Sequence, residues 1–317
     1  MSARTPSLLR PPAVRPDARF SIVAPASTAQ PDRISAGLDA LRCLGFDPVP
    51  APNALVRGPL YFAGTPERRV ADLHEAFTDP GTGAVMCLRG GYGSNYLLDH
   101  LDLELFASHP KPFFAYSDLT GIQLHLLDRL GLPAFHGPML AADFYRPAGI
   151  HLESLRASLS GDPFAVGTNE GLRILEPGNT SSVQGTLYGG CLSIIVSLLG
   201  TPWEPHTEGT LLFLEDTGAK PYQIDRMIWQ LRSAKKLDGV RGIIFGEMLD
   251  CASPGASSDL LEKAILSALS GFDGPVAFGL RSGHVSRENV TLTFGVQAQL
   301  TVGSEPRLNI LEPAVTR

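Results

Sequence analysis

Ser117 stands where a strand-like run gives way to a helix-like one, a position that turns a serine into a chemical group. In the decapeptide Lys111 to Thr120, KPFFAYSDLT, the apolar, aromatic run stops at Ser117 and helical spacing starts at once. A sharp strand-to-helix turn holds its middle residue above the sheet edge with the helix N-terminal N–H groups close by, the setting of a nucleophile. The same serine would serve equally as an N-cap, and the segment alone does not separate the two. A second segment, RGGYGS (Arg89 to Ser94), follows a buried-strand pattern and precedes a helical one. Its backbone N–H groups can face a ligand with no Cβ in the way. It matches neither G-x-G-x-x-G nor the P-loop. As an oxyanion site it needs only close approach of N–H donors to developing charge; as a plain turn it needs no partner at all.

A nucleophilic serine requires a base, and the base requires a group that orients it. Glu215 follows the apolar run Leu211 to Leu214, which puts it at the carboxyl end of a strand, where sites in open α/β sheets collect. Asp216 and Glu208 are rival acids nearby. His284 sits between Gly283 and Val285 ahead of the strand-like VTLTF. Seven other histidines compete with it, His136 in FHGPM most directly, whereas His125 reads as a helix-face residue. The order Ser117, Glu215, His284 is that of one class of α/β hydrolase. No H-E-x-x-H and no carboxylate–histidine cluster supports a metal, and no cofactor is expected. Cys43, Cys87, Cys191 and Cys251 are far apart and fit reduced thiols in a cytoplasmic protein; Cys87 and Cys191 read as buried and inert.

These residues need a scaffold, and the periodicity supplies one. From Phe20 to about Leu140, apolar runs (FSIVAP, AVMCL, PFFAY, PAFHG) alternate with amphipathic segments, among them Ile34, Leu38 and Leu41, a helix opened by Thr65 and Pro66, a short helix over Tyr96 to Leu101, and Leu119, Ile122, Leu126 and Leu130. Strands apolar throughout and separated by helices indicate a parallel sheet covered on both faces. Residues 1–19, rich in Arg and Pro, read as an arm rather than a signal peptide. The nucleophile domain then runs over 20–145. A connection over 146–182 carries one helix, His151 to Leu159, and the domain with Glu215 and His284 spans 183–317. That second domain contains strands near Leu211, Gly242 and Val276, a helix face at Ile224, Met227, Ile228 and Leu231, and antiparallel hairpins over Asn289 to Leu311. The apolar stretch Leu187 to Trp203 is broken by glycines and too short for a membrane span. With 26 basic and 32 acidic residues in 317, a net charge of −6 leaves no electrostatic footprint for nucleic acid or an anionic membrane.

The segments IVAPAS, YFAGTPERRVADLHEAF, RGGYGS, FAYSDLTGI, HGPM, GTLYGGCLS, LLGTPW, EDTGAKPYQIDRMIWQL and SGHVSRENVTLTFG, spread over nearly the whole chain after residue 19, resemble the serine LD-carboxypeptidases (muramoyltetrapeptide carboxypeptidases) and the related microcin-immunity peptidases. The resemblance implies a flavodoxin-like (glutamine-amidotransferase-like) N-terminal domain, a smaller mixed α/β C-terminal domain of swivelling type, a homodimer, and an active site between the domains. It implies Ser117 as nucleophile, Glu215 and His284 as its triad partners, and an oxyanion hole from the N–H groups of Asp118 and Gly91; Arg89 and Gly90 are candidates for substrate binding. The substrate implied is a murein tetrapeptide that loses its terminal D-alanine through an acyl-enzyme in peptidoglycan recycling. The alternatives are a microcin-immunity type hydrolase of peptidyl or aminoacyl nucleotide amides, with Trp203 or Trp229 as a base platform, and a non-enzymatic nucleotide-binding module. Two positions depart from the family's pattern: Ala115, where glycine is usual, and Cys191, where asparagine is usual.

Overall fold

The alternation of apolar and amphipathic segments resolves, in a computed structural model that describes residues 6–252 and 259–317, into two α/β units. The first comprises Met1–Asp162, Glu288–Gly295 and Pro313–Arg317. Its elements are β1 (Arg19–Val23), α1 (Pro31–Cys43), β2 (Asp47–Pro50), α2 (Pro66–Thr78), β3 (Thr82–Cys87), α3 (Leu103–Ser108), β4 (Phe113–Ala115), α4 (Thr120–Leu130), β5 (Ala134–His136) and α5 (Leu152–Ser160). The five strands are parallel in the order β5-β4-β3-β1-β2, and the antiparallel strand Leu292–Phe294 pairs with β5 at the edge. Phe20, Ile22, Phe113, Phe114, Phe135 and Phe77 are fully or almost fully buried, each stabilising the core by roughly 1.5–3 kcal/mol. Such burial on both faces explains why these strands carry no polar alternation.

The second unit comprises Pro163–Arg287 and Val296–Glu312. It contains β6 (Phe164–Val166), β7 (Arg173–Glu176), β8 (Ser182–Cys191), α6 (Leu192–Ser197), β9 (Thr210–Glu215), α7 (Pro221–Ser233), β10 (Gly242–Gly246), α8 (Leu260–Ala268) and β11 (Val276–Leu280). The chain then supplies the first unit with Leu292–Phe294 (β12) and returns for β13 (Gln297–Thr301) and β14 (Arg307–Ile310). The eight-stranded sheet has the order β6-β14-β13-β8-β9-β10-β11-β7; β8 to β11 are parallel, the outer strands antiparallel.

Several elements differ from the sequence expectation, each for a physical reason. The stretch 146–182, read as a connection with one helix, also holds β6 and β7, short strands whose residues are mostly part-exposed and so lack a buried run. The expected hairpins over Asn289 to Leu311 split between the units, with β12 in the first and β13–β14 in the second. The expected helix at Tyr96 to Leu101 is a 3-10 stretch, Ser94–His100. β2 was not expected, because Pro48 and Pro50 argue against a strand; an edge position tolerates them.

Candidate active site

In the first unit the chemistry-bearing residues gather at the carboxyl ends of β1, β3 and β4. β4 ends at Ala115, Tyr116 is extended, and Ser117 adopts φ +64 before the 3-10 turn Ser117–Leu119 leads into α4. A left-handed conformation costs an L-residue with a Cβ about 1–2 kcal/mol, so this turn holds Ser117 against its local preference. The N-cap alternative is not what forms, since neither the 3-10 turn nor α4 has a side-chain cap. Gly90 lies directly against the turn: a Cβ there would sit 2.8 Å from Ser117 Cβ, 2.9 Å from its Oγ and 3.3 Å from Asp118 N. Only glycine allows this approach, which brings the loop backbone beside the serine hydroxyl. Gly91 follows with φ +117, packed on Ser27, whose Oγ accepts a bond from Tyr92 N–H at 3.1 Å. Arg89 is exposed beside this loop.

In the second unit Glu215 ends β9 and is 0% exposed. Its Oε2 accepts two bonds from His284, one from the backbone N–H at 3.0 Å and one from Nδ1 at 2.7 Å. With the carboxylate ionised, the Nδ1 contact requires the imidazole proton there and makes Nε2 the basic nitrogen. Gly283, at φ +88, makes the arrangement possible, because a Cβ at this position would fall 2.6 Å from Glu215 Cδ. The rival acids go elsewhere. Asp216 accepts from the N–H groups of Ser193 and Thr217, both at 2.8 Å, and burial raises its pKa; Glu208 is exposed. His136 is a core residue between the rings of Tyr116 and Phe294. Cys191, opposite Glu215 in the β8–β9 register, is buried, and burial pushes its thiol and that of Cys87 well above the ordinary range.

The structure thus brings Ser117, Asp118, Gly90, Gly91 and Arg89 together in one unit, and Glu215 with His284 in the other. Among the described residues no cluster of His, Cys, Asp or Glu could hold a metal, and no helix is long and apolar enough to cross a membrane. Sequence reasoning missed Ser27 and Arg69, which support the glycine loop from a distance. The signal was present in IVAPAS and in the helix after Thr65, but nothing local tied either to residue 90.

Residues 21–137 match the LD-carboxypeptidase N-terminal domain and residues 184–300 the LD-carboxypeptidase C-terminal domain. A Streptomyces coelicolor protein provisionally named a carboxypeptidase is 40% identical over 92% of this chain and 93% of its own. The murein tetrapeptide carboxypeptidase of Pseudomonas aeruginosa is 33% identical over 90% and 93%, and the microcin C7 self-immunity protein of Escherichia coli 28% over 88% of each. Among solved structures, the muramoyltetrapeptide carboxypeptidase from Oxalobacter formigenes superposes with a TM-score of 0.82 at 27% identity, covering 94% of this chain and all of the other. The microcin immunity protein MccF, in complex with glutamyl sulfamoyl guanosine, superposes at 0.87 and 22% identity over 97% and 100%.

Proposed function

Because the chain belongs to the LD-carboxypeptidase family, a family of peptide hydrolases, we propose that it is a serine-type enzyme that releases the terminal D-alanine of murein tetrapeptides. The observation that carries this reading is the buried Glu215 carboxylate gripping His284 through Nδ1, which orients Nε2 as a base. In the proposed reaction Nε2 takes the Ser117 proton as Oγ attacks the carbonyl of the diacid residue preceding D-alanine. The N–H groups of Asp118 and Gly91 receive the charge that develops on the carbonyl oxygen. His284 then passes its proton to the departing D-alanine amine, leaving an acyl-enzyme on Ser117. A water molecule, deprotonated by the same imidazole, hydrolyses the ester and restores the serine. The reaction requires His284 Nε2 within hydrogen-bond reach of Ser117 Oγ. Peptidoglycan recycling, which draws on the murein peptidase relatives, belongs to the same proposal, as do a cytoplasmic location and a homodimer.

Ser117→Ala tests the assignment. The variant should fold as the parent does, while D-alanine release from a murein tetrapeptide, followed by a coupled amino-acid assay, falls by about 10⁴-fold or more. Undiminished release would sink it. The likeness to the microcin immunity protein supports a second reading, hydrolysis of an aminoacyl nucleotide amide by the same groups. Trp229, 60% exposed on α7, is one aromatic surface on which a base could stack. Parallel turnover of a murein tetrapeptide and an aminoacyl sulfamoyl adenylate separates the two.

A further inference from the structure

The glycine loop Arg89–Gly93 has no regular structure of its own, so other groups must fix where its N–H donors point. Arg69, on α2 and 2% exposed, donates Nη1 to Pro25 O at 2.7 Å and to Gly93 O at 2.8 Å, tying the chain after β1 to the chain after β3. Its guanidinium lies over the Phe62 ring at 5.0 Å. The Asp118 carboxylate, also buried, accepts from Ser94 N–H at 2.8 Å and from Gly93 N–H, with the Arg69 charge acting on it through space. Ser94 Oγ completes the circuit by donating to Asp118 O at 2.6 Å. Burying a cation and a carboxylate is costly unless each is bonded; here Arg69 bonds Gly93 and, after β1, Pro25, while the Asp118 carboxylate bonds Gly93 and Ser94. The clamp therefore joins the loop that carries the Gly91 N–H to the turn that carries the Asp118 N–H.

We propose that Arg69, the side chain of Asp118, and Ser94 are positioning residues that set the oxyanion hole, holding the glycine loop at a fixed distance from the Ser117 turn. The inference rests on Ser117 being the nucleophile. Each variant removes a different strand of the clamp. Ser94→Ala deletes only the bond to Asp118 O. Asp118→Asn keeps an acceptor for Ser94 N–H but removes the charge facing Arg69. Arg69→Lys keeps the charge and one nitrogen that can donate to two carbonyls, but loses the guanidinium plane lying over Phe62.

The experiment measures D-alanine release, affinity for a peptide boronate that mimics the tetrahedral intermediate, and the rate at which a fluorophosphonate labels Ser117, with thermal melts to confirm folding. Expected in Ser94→Ala and Asp118→Asn is a fall in kcat of about 10- to 100-fold with KM within about twofold, because a displaced donor is felt in the transition state rather than in the bound substrate. Boronate affinity and labelling rate should fall in step with kcat, and Arg69→Lys should retain more of all three than Arg69→Met. Folded variants with parental kcat and labelling would overturn the proposal, as would losses that appear in KM alone. If the parent is labelled but releases no D-alanine, the substrate assignment fails while the labelling rates still decide the clamp. A parent that is not labelled at all removes the nucleophile and the proposal with it.

Discussion

Ser117 shows how much one backbone angle can carry. Its φ of +64 is disfavoured for any residue with a Cβ, yet the turn between β4 and α4 imposes it. Replacing Ser117 by glycine should relieve about 1–2 kcal/mol of strain, of which glycine's greater freedom in the unfolded chain takes back about 0.5–1 kcal/mol. The expected result is an inactive protein that melts slightly higher than the parent and than Ser117→Ala, as read by differential scanning calorimetry. A Ser117→Gly melt below that of Ser117→Ala would show that the angle is not strained. The angle itself was invisible in the sequence. What could be read was the abrupt change of periodicity at residue 117, which locates the turn but leaves open whether the hydroxyl caps a helix or faces outward. The lack of a side-chain cap on the 3-10 turn and on α4 decides against capping, and Gly90, whose added Cβ would fall 2.9 Å from Ser117 Oγ, lies twenty-seven positions away in the chain, where local patterns carry no information.

The elements around the site are held by junctions of comparable economy. His74 on α2 accepts the N–H of Asp102 at 3.2 Å, and Asp102 in turn caps α3 by accepting from the N–H groups of Glu104 and Leu105. Burial lowers the His74 pKa below the ordinary imidazole value, so the folded state favours the neutral ring. A depressed folded pKa contributes stability that is full above the unfolded value of about 6.5 and is lost as pH falls towards the folded value. Melting temperatures measured from pH 7 to pH 5 should therefore drop more steeply for the parent than for His74→Gln. Identical slopes would remove His74 from the acid response. At this scale the sequence was informative wherever a run was buried on both faces, as in β1, β3 and β4. It was poor wherever a strand was short and half-exposed, as in β6 and β7, or carried proline at an edge, as in β2. In each of those cases tertiary pairing supplies the stability that the local pattern lacks.

For the whole molecule, the proposed chemistry is divided between units, with the nucleophile and its oxyanion donors on one and the acid–base pair on the other. Groups that act as one catalytic device show non-additive losses. The double variant Ser117→Ala/His284→Ala should lose about as much kcat as Ser117→Ala alone, since without the hydroxyl there is no proton for Nε2 to take. Losses that multiply would mean the two half-sites work independently. The resemblance of nine segments along the chain anticipated the division of these residues, although the path by which the chain builds the units was not legible. Nothing in VTLTF marks it as an antiparallel neighbour of β5 rather than part of a hairpin with the strand that follows.

That path also sets an order of events during synthesis. β12 completes the edge of the first sheet, and Thr316 bonds to Pro11 and Ala13, with Ala13 N–H donating to Thr316 O at 2.8 Å. The unit that carries Ser117 thus draws on residues made after Glu215 and His284. While those residues are still within the ribosome, the sheet that carries Ser117 stands with an open edge. The β5 edge that faces β12 is closed only by residues 292–294, which are made later than both Glu215 and His284.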